Sequence, residues 1–519
     1  SMEHQYLLGT DIGSSSTKTV ITDEHGNVLA SAVESYDILC PQNAWAEQWP
    51  DVWENAVRHT IRTVMKQSAV PPEQVVALCI SGLYGGSGIP LDADMEVVRP
   101  CIIWMDRRAE ALCDRLKNTV DEQRLFQITE NGIDSYFGFA KMLWIKENEP
   151  ENWKRISLFL TPNQYVAYHL TGEIAIDRTS AGNLGGIFDY ERNDWSDEML
   201  ELLGIPRSML PQRIIDPADI LGRLTAEAAA ELRLMPGTPV CAGCIDCLAS
   251  TLSSGVYTAG HTVAVLATSL NWGLLHDQRQ KNPQYITMPY LTKEQSLRYT
   301  YGGISTAGAL TKWFAGNLAG GTRVQGYEER EKKLLFRELE QAAAEIPAGS
   351  EGLLMLPYFM GERTPIWDSK ARGMLLGLTV KHSSSHIYRA VLESVGYAFR
   401  HVMEAYGFSF ARDSVCRIVG GGTASKLWVQ ILADITGVKL ECMRDGVEAP
   451  MGDAFMAGVA GGVFAGFEEI DSWTKSYMVF CPNWQNHELY NRYYEIYKHV
   501  YTSVKDDMHM LAGLGFSFE

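Results

Sequence analysis

The first 35 residues alternate apolar segments with short polar segments, and this pattern predicts three strands. YLLGTD (6–11) is apolar, KTVIT (18–22) is β-branched, and VLASAVES (28–35) follows a turn that contains a glycine. The loop IGSSST therefore connects one strand to the next. Phosphate loops of the Walker A and dinucleotide-binding types open a helix instead, and the Walker A ending GK[ST] is missing. Backbone N–H groups and hydroxyls at such a bend can still bind a phosphate.

The same order of strand, hydroxyl-rich bend and strand returns after Gly255. HTVAVLATSLNWGLL (261–275) again has a Thr/Ser bend between two apolar segments. Further along, SVCRIVGGGTASKLWVQILADITG (414–437) predicts a strand, three glycines and a helix that Ser425 caps and Gly437 ends. Glycines that follow a buried strand and open a helix favour a nucleotide at the start of that helix.

The remaining periodicity predicts helices and buried strands in both halves of the chain. Helical spacing marks 52–67, 136–148 and 386–407, whereas 75–82 and 238–243 have the composition of buried strands. We predict two α/β domains of related design, at 1–255 and 256–470, and a helical tail at 471–519 that packs on the second domain.

The composition narrows the choice of partners. The chain has 519 residues, 46% hydrophobic and 21% charged, as in a globular protein of two or more domains. Its net charge of −18 disfavours nucleic acid and anionic membranes as partners. The longest apolar segment, MGDAFMAGVAGGVFAGF (451–467), contains Asp453 and is rich in Gly and Ala, so it predicts a close-packed buried helix and not a membrane span.

The N-terminus and the cysteines point to the cytoplasm. SMEHQYLLGTDIG lacks the basic and apolar regions of a signal peptide, and ten cysteines are spread through the chain. Free thiols in a reducing compartment are therefore expected. The sequence leaves the oligomeric state open, with a homodimer as one option.

The stretch CAGCIDCLAS (241–250) has two possible interpretations, a metal site or a group of buried cysteines that only pack. Cys241, Cys244 and Cys247 have the C-x2-C-x2-C spacing of a metal or iron–sulfur site. The expected fourth ligand is absent, because the next cysteine is Cys416, and apolar residues flank the group. Buried cysteines beside a strand are common, so we predict that these three pack around Asp246. A metal-cluster protein remains the alternative.

Three motifs carry a resemblance to a known family. GMLLGLTVKHSSSHIYRAVLE (373–393) fits the C-terminal signature of the FGGY carbohydrate kinases at every constrained position. YFGFAKMLWIKEN (136–148) fits the N-terminal signature except at Gly138, where the family prefers Pro, Ser or Thr, and GERTPIWDSKARG (361–373) looks like the xylulokinase-type members. The chain thus resembles this family over nearly its whole length. The resemblance implies two related actin/hexokinase-like (ribonuclease H-like) α/β domains around a cleft.

The resemblance also implies an ATP site. GTDIGSSSTK resembles the family's first phosphate motif, in which Asp11 would hold Mg²⁺ through water. LATSLNW resembles the second phosphate motif, although Ala267 replaces the usual glycine and its methyl group could tighten the bend. The residues that would contact the ATP phosphates, base and ribose are Ser14, Ser15, Lys18, Thr268, Gly308, Lys312, Gly421, Gly422 and Ser425.

A second implied set of residues concerns the acceptor. Asp246 aligns with the family's catalytic base, which also contacts the substrate, and Trp104 and Asp106 in WMDRR resemble its substrate-facing W-x-D segment. Tyr136 lies where related polyol kinases place a substrate tyrosine. In the same region Leu83 and Tyr84, followed by a glycine, stand where xylulokinases carry Gln-Met-His, so the identity of the sugar stays open.

These observations predict a kinase that uses ATP and Mg²⁺ to phosphorylate a sugar hydroxyl, with a ketopentose such as xylulose as the acceptor. The alternatives among enzymes are kinases for gluconate, ribulose, erythritol or glycerol. An ATP-driven binding protein of the same fold is the alternative outside catalysis, and a lack of sugar-stimulated ATP turnover would favour it. For Trp104 and Tyr136, packing in a core is the competing interpretation, since aromatic residues pack cores more often than they bind ligands.

Overall fold

The computed structural model describes residues 3–319, 328–444 and 448–516, which form two compact units. Unit 1 contains the described residues of 1–260, 275–300 and 445–475. Unit 2 contains the described residues of 261–274, 301–444 and 476–519.

Both units combine strands with helices. The strands are β1 (Tyr6–Ile12), β2 (Ser16–Asp23), β3 (Val28–Ser35), β4 (Glu47–Gln48), β5 (Val75–Gly82), β6 (Ile89–Leu91), β7 (Cys101–Ile102), β8 (Leu158–Leu160), β9 (Ile176–Asp177), β10 (Phe188–Asp189), β11 (Asp194–Trp195), β12 (Ile214–Ile215), β13 (Ile220–Arg223), β14 (Pro239–Cys241), β15 (Thr262–Leu266), β16 (Leu270–His276), β17 (Ile286–Pro289), β18 (Arg298–Ile304), β19 (Leu354–Leu356), β20 (Met374–Leu376), β21 (Val415–Val419), β22 (Lys439–Met443) and β23 (Ser476–Phe480).

The helices are spread along the whole chain. They are α1 (Pro50–Ser68), α2 (Glu110–Thr119), α3 (Glu122–Thr129), α4 (Gly138–Asn148), α5 (Pro150–Arg155), α6 (Pro162–Thr171), α7 (Arg178–Asn183), α8 (Asp197–Leu203), α9 (Ala226–Leu232), α10 (Asp246–Ser253), α11 (Gly308–Asn317), α12 (Glu329–Ala344), α13 (Ser384–Tyr406), α14 (Lys426–Thr436), α15 (Ala449–Ala460) and α16 (Trp484–Leu514). Short 3₁₀ turns occur at Pro72–Gln74, Arg207–Met209, Gly421–Ala424 and Phe467–Ser472. Among the described residues, no helix combines the length and the apolar character that crossing a membrane requires.

Unit 1 is built on a six-stranded mixed sheet in the order β13–β14–β5–β1–β2–β3. β1 pairs antiparallel with β2 and parallel with β5, as the predicted loop between two strands requires. The two faces of β1 pack against different helices, because successive side chains of a strand point in opposite directions. Thr10 faces α1, where hydroxyl hydrogen bonds connect it through Thr19 to Thr60. Gly9 faces α15, and Asp11 shares that face.

The close approach of α15 to β1 depends on a glycine. A Cβ atom at Gly9 would lie 2.1 Å from the carbonyl oxygen of Pro450 and 2.5 Å from the backbone nitrogen of Ala454. Gly452 of α15 allows a similar close approach to α10. A Cβ atom at Gly452 would lie 2.1 Å from the carbonyl oxygen of Ala249 on α10. The backbones of β1, α15 and α10 therefore pack in direct contact, and this contact positions the acidic residues that these elements carry.

We expect Gly9→Ala to destabilise the protein by about 1–3 kcal/mol, because the added methyl group pushes α15 away from β1. Thermal or urea unfolding measures this change. The matched control is Gly316→Ala in α11, where no atom lies within 4 Å of the added Cβ. The control should leave stability unchanged or raise it by about 0.5–1 kcal/mol. Equal stability of Gly9→Ala and the wild type would contradict the close packing of these two elements.

Unit 2 contains most of a seven-stranded mixed sheet in the order β17–β18–β16–β15–β21–β22–β23. β15 and β16 form an antiparallel hairpin, and β15 also pairs in parallel with β21. In unit 1, β1 forms the same two kinds of pairing with β2 and β5. The repeated arrangement confirms the predicted α/β class and the related design of the two halves.

The sequence signals for helix ends in unit 2 are confirmed. Ser425 caps α14 by accepting the N–H of Trp428 at 3.2 Å, and Gly437 ends the helix with φ of 71°. His386 takes part in the cap of α13, where its Nδ1 accepts the N–H of Ser383 at 3.1 Å. These caps form locally because each satisfies backbone groups within one turn of the helix end.

The units differ from the predicted boundaries at 1–255 and 256–470. Residues 275–300 and the described part of 445–475, which includes α15, belong to unit 1, because α15 packs on β1 and β5. The buried helix predicted at 451–467 is also shorter than expected: α15 ends at Ala460, and Gly462 takes φ of 78°. The predicted tail at 471–519 supplies α16, which packs on α14, but it begins with residues of unit 1 and the strand β23.

Candidate active site

Two carboxylates of unit 1 influence each other's ionisation. Asp11 lies near the end of β1, and Asp246 begins α10. Burial raises the pKa of Asp11 well above its usual value, and the charge of Asp246 raises it further. Burial also raises the pKa of Asp246, to about 6, although the N–H of Cys247, 2.8 Å from Oδ1, opposes part of this shift. A cation near these groups would stabilise their ionised forms.

A third acid, Asp453 of α15, is connected to Asp11 through a serine. Ser81 Oγ lies 2.6 Å from Asp453 Oδ2 and 3.3 Å from Asp11 Oδ1. Asp453 is fully buried, and burial followed by the charge of Asp11 raises its pKa. Sequence analysis noted Asp453 only as an obstacle to a membrane span. A lone acid in a Gly/Ala-rich buried helix was the available signal for a polar role.

The bend between β1 and β2 is closed by its own hydrogen bonds. Gly13 N–H donates to a backbone carbonyl of the bend over 2.9 Å, and the hydroxyl of Tyr36 donates to Gly13 O over 2.6 Å. The indole N–H of Trp104 donates to Ser14 Oγ over 2.9 Å, whereas Ser15 is exposed. The structure therefore places the two predicted phosphate-binding serines on a hydrogen-bonded bend.

Lys18 lies on β2 opposite Asp11 and forms an ion pair with Glu448. The charge of Glu448 raises the pKa of Asp11, and the charge of Lys18 lowers it. Sequence analysis did not single out Glu448. Unit 1 thus brings four acids, Asp11, Asp246, Asp453 and Glu448, and one lysine to the end of β1.

The residues predicted to contact the sugar have different environments. Trp104 is 39% exposed, and Tyr136 is partly buried with its hydroxyl near Asn183. Asp106 is fully buried, and its carboxylate accepts the N–H of Ala46 at 2.7 Å and the guanidinium of Arg108 at 2.8 Å. The carboxylate of Asp106 therefore has partners within unit 1, and its contact with the sugar stays a prediction.

Leu83 and Tyr84 are buried, and their predicted contact with the sugar stays a prediction. Leu83 is part of the hydrophobic core of unit 1, with 2% of its surface exposed, and its N–H donates to Ile12 O over 2.9 Å. Tyr84 is 6% exposed. Leu83 is apolar and follows a buried strand, so its burial follows from the hydrophobic effect.

In unit 2, the bend between β15 and β16 receives hydrogen bonds from the start of α11. Gly308 N–H donates to Ala267 O over 2.8 Å, and Ala309 N–H donates to Thr268 O over 3.2 Å. A Cβ at Gly308 would lie 2.6 Å from Ala267 O, so this contact requires glycine. Ala267 has no positive φ, and an alanine therefore fits without backbone strain. Thr268 and Lys312 are both exposed.

The glycines before α14 pack on β15. Gly420 has φ of 106°, and a Cβ there would lie 2.3 Å from the carbonyl oxygen of Leu266. A Cβ at Gly422 would lie 2.5 Å from the Leu266 side chain, whereas Gly421 is exposed and has no atom within 4 Å of such a Cβ. Ser425 then caps α14. This segment leaves backbone groups accessible at the start of a helix, as an anionic or nucleotide ligand requires.

Glu362 is a buried carboxylate of unit 2 to which sequence analysis gave no role. Its Oε1 accepts the N–H groups of Ser305 at 2.7 Å and Arg363 at 2.8 Å. Its Oε2 is buried and has no hydrogen-bond partner within the described part of the chain. Burial raises the pKa of Glu362 to about 7. Glu362 is the second residue of GERTPIWDSKARG, and its place in this segment gave no hint of its burial.

The three cysteines around Asp246 are consistent with packing. Cys241 and Cys244 are buried, with at most 1% of their surface exposed, and Cys247 is partly buried. Burial raises the pKa of Cys244 and Cys247. Metal ligation uses the thiolate, and burial in apolar surroundings disfavours it.

Comparison with known proteins adds evidence from outside the site. Residues 6–253 match the N-terminal domain of the FGGY family of carbohydrate kinases, and residues 262–461 match its C-terminal domain. The chain is 30% identical to the xylulose kinase of Lactococcus lactis subsp. lactis (strain IL1403), over 98% of each protein. It is 29% identical to the xylulose kinase of Bacillus subtilis (strain 168), over 97% of this chain and 98% of that protein.

A solved structure supports the same assignment. The crystal structure of xylulose kinase from Rhodospirillum rubrum superposes with a TM-score of 0.88 and 27% identity, over 97% of this chain and 100% of that chain. This similarity confirms the predicted actin/hexokinase-like fold with two α/β domains. Since both halves of the family match in order and relatives match over the full length, the chain belongs to the FGGY family of carbohydrate kinases, which phosphorylate small sugar substrates with ATP.

Proposed function

We propose that this kinase transfers the γ-phosphoryl group of ATP to a hydroxyl of a ketopentose, with xylulose as the first acceptor to test. One observation carries the catalytic part: Asp246 is a partly buried carboxylate at the first turn of α10, and burial raises its pKa to about 6. A general base works best with a pKa near the operating pH. Asp246 meets this requirement for accepting the proton of an attacking hydroxyl.

The proposed step balances without a covalent enzyme intermediate. The acceptor oxygen forms a bond to the γ-phosphorus of ATP, and the bond from that phosphorus to the β–γ bridging oxygen breaks to release ADP. The proton of the acceptor hydroxyl passes to a carboxylate oxygen of Asp246. After the products leave, Asp246 returns this proton to water.

The acids of unit 1 fit a magnesium ion that is bound together with ATP. Within 3–319, 328–444 and 448–516, no group of three His, Cys, Asp or Glu side chains is placed to hold a metal ion alone. Magnesium is commonly held by one or two carboxylates together with substrate phosphates and water. Asp11 supplies such a carboxylate, beside Asp246. When bound, Mg²⁺ would neutralise charge on the phosphates.

Residues of each unit are assigned to ATP. In unit 1, Ser14, Ser15 and Lys18 would contact the phosphates, and Lys18 would exchange its ion pair with Glu448 for a phosphate oxygen. The exposed positions of Ser15, Thr268 and Lys312 support these assignments. In unit 2, the proposed nucleotide contacts are Thr268, Gly308, Lys312, Gly421, Gly422 and Ser425.

The choice of xylulose rests on the relatives. Those of 29% and 30% identity over nearly the full chain are xylulose kinases. Kinases for other polyols or sugar acids remain the second candidates, because Leu83 lies in the core and offers no polar atom. Trp104 and Tyr136 are the side chains of the predicted sugar set that stay partly accessible in unit 1.

The compartment follows from the thiols. All ten cysteines are free. Free thiols are typical of the reducing cytoplasm, where ATP is also available. We therefore place the proposed reaction in the cytoplasm.

An acceptor panel tests the proposed function. We expect ADP release by the wild type to depend on an added acceptor, and kcat/KM to be highest for D-xylulose among D-xylulose, D-ribulose, L-ribulose, erythritol, glycerol and D-gluconate. The matched control is the same assay without acceptor. Another acceptor that exceeds xylulose more than tenfold would replace the ketopentose assignment. ATP turnover that no acceptor stimulates would favour an ATP-driven binding protein instead.

A further inference from the structure

Glu340 of unit 2 directs its carboxylate at the start of α14. Its Oε1 accepts the N–H of Leu427, the second residue of α14, at 3.0 Å. Glu340 lies near the end of α12, a helix that is largely exposed, with Ala343 buried in its last turn. Glu340 itself is partly buried. This contact therefore brings a charged side chain of an exposed helix to the segment that follows the three glycines.

The carboxylate of Glu340 occupies a position that suits an anion. The first N–H groups of an α-helix lack partners within the helix and attract negative charge. At the start of α14, Glu340 accepts from Leu427, and the cap Ser425 accepts the N–H of Trp428 at 3.2 Å. A phosphate beside Glu340 would be repelled by the charge of the carboxylate. The part of a nucleotide that fits this end of α14 is therefore its uncharged end, the base and the ribose.

An aromatic side chain lies near the same carboxylate. Tyr388 of α13 is 5% exposed, and its pKa is raised by burial and then by the charge of Glu340. The Tyr388 ring packs on Phe314 of α11, with 5.1 Å between the ring centroids. α11 begins at Gly308 and carries Lys312, which are both assigned to the nucleotide. Glu340 thus lies close to helices that carry proposed nucleotide contacts, beside aromatic packing that suits a planar base.

The second oxygen of Glu340 is available to a ligand. Within the described ranges 3–319, 328–444 and 448–516, no group donates a hydrogen bond to Oε2, and no basic side chain pairs with this carboxylate. An ionised carboxylate only accepts hydrogen bonds, so its partner in a ligand must be a donor such as an amino group. The backbone of α14 fixes one oxygen, and the other oxygen stays open, which is an arrangement that positions a specific contact.

We propose that Glu340 determines the nucleotide preference of this kinase, with Oε2 accepting a proton from the amino group on carbon 6 of adenine. This inference rests on the proposed ATP-dependent activity. Guanine and hypoxanthine have a carbonyl oxygen on carbon 6, and this oxygen accepts hydrogen bonds as the carboxylate does. Two acceptors repel each other, so the glutamate that favours ATP also disfavours GTP and ITP.

The expected effect is a change in the ratio between two nucleotides. A site built to hydrogen-bond a polar group discriminates strongly against an analogue that lacks this group. A hydrogen bond to a charged group changes kcat/KM by about 10–100-fold. Loss of a helix cap alone would lower kcat/KM for every nucleotide by the same factor. The ratio of kcat/KM for ATP to that for ITP therefore separates recognition of the base from capping of α14.

The experiment measures kcat/KM for ATP, ITP and 2′-deoxy-ATP at a saturating concentration of the best acceptor. We expect the wild type to prefer ATP over ITP by about tenfold or more. Glu340→Ala should lower kcat/KM for ATP about 10–100-fold and change that for ITP by less than about threefold. Glu340→Gln should raise kcat/KM for ITP relative to ATP, because the amide can donate to the oxygen on carbon 6.

The matched control is Glu338→Gln, which removes the same charge from an exposed position of the same helix. It should leave the ratio between ATP and ITP unchanged. Calorimetry gives a readout that does not depend on turnover: the wild type should bind ADP more tightly than IDP, and Glu340→Ala should lose most of this difference. Glu340→Gln keeps an oxygen that can accept the N–H of Leu427, so it decides the question if Glu340→Ala does not fold.

Three results would overturn this inference while leaving the kinase activity intact. The first is an equal loss of kcat/KM for ATP and ITP in Glu340→Ala, which would make Glu340 only a cap of α14. The second is a wild type that uses ITP as well as ATP. The third is a changed ratio of ATP to 2′-deoxy-ATP with an unchanged ratio of ATP to ITP, which would assign Glu340 to the ribose. A wild type whose ATP turnover no acceptor stimulates would instead overturn the proposed function, and the inference with it.

Discussion

Asp246→Asn is expected to lower kcat by about 10²–10⁴ while KM for ATP changes little, in line with the size of general-base effects. The amide keeps the shape of the side chain but has no carboxylate oxygen to accept the acceptor proton. Steady-state kinetics with the best acceptor, together with ATP binding by calorimetry, measure both quantities. The matched control is Asp121→Asn, an exposed helix cap at which Asn and Asp are about equally good.

The same assignment gives a pH dependence. Burial raises the pKa of Asp246 to about 6, and the base works only when ionised. We therefore expect kcat/KM for the acceptor to be constant above that pH and to fall as the pH drops through about 6. Asp246→Asn should lose this acidic limb. A near-normal turnover number in Asp246→Asn, or an acidic limb that persists in it, would contradict the role of Asp246 as base.

Asp11→Ala is expected to raise the Mg²⁺ concentration needed for half-maximal activity by about tenfold or more, since hard carboxylate oxygens suit a hard cation. Asp11 lies near the end of β1. Its replacement by alanine removes the carboxylate that is assigned to the ion. Titration of activity with Mg²⁺ at saturating ATP measures this change.

A second readout for Asp11 does not depend on turnover. In the wild type, Mg²⁺ together with ADP should raise the midpoint of thermal unfolding more than ADP alone, because a ligand that binds the folded state stabilises it. Asp11→Ala should lose most of this additional increase. The control is Asp23→Ala at the end of β2, where the Asp23 carboxylate accepts the backbone N–H groups of His25 and Asn27. An unchanged Mg²⁺ titration in Asp11→Ala would refute the assignment.

The elements that form locally could be predicted from the sequence. The apolar segment YLLGTD and the β-branched segment KTVIT predicted β1 and β2, and Ser425 and Gly437 predicted both ends of α14. Strand composition, hairpin bends and helix caps depend on residues a few positions apart, so short segments of sequence are enough to predict them. The signature at 373–393 added the family, and with it the expectation that Asp11 and Asp246 belong to one site.

Contacts between distant segments were decided only by the tertiary structure. The sequence alone could not show that α15 packs on β1 through Gly9 or that Asp453 reaches Asp11 through Ser81, because a close backbone approach leaves no periodic pattern. It also could not show that the N–H of Ala46 donates to the carboxylate of Asp106. Burying a polar group is stable only when a partner meets it, and the partner can come from anywhere in the chain.

The packing around Gly85 has the same origin. Sequence comparison pointed to Leu83 and Tyr84 because they stand in a motif, but the hydrophobic effect draws Leu83 into the core. The adjacent glycine, which has no side chain to suggest a function, leaves the volume that Tyr136 fills. The sequence by itself therefore determined the strands, the caps and the family of this protein. The tertiary structure decided which side chains occupy the space beside Gly85, because packing depends on volumes that segments far apart in the chain bring together.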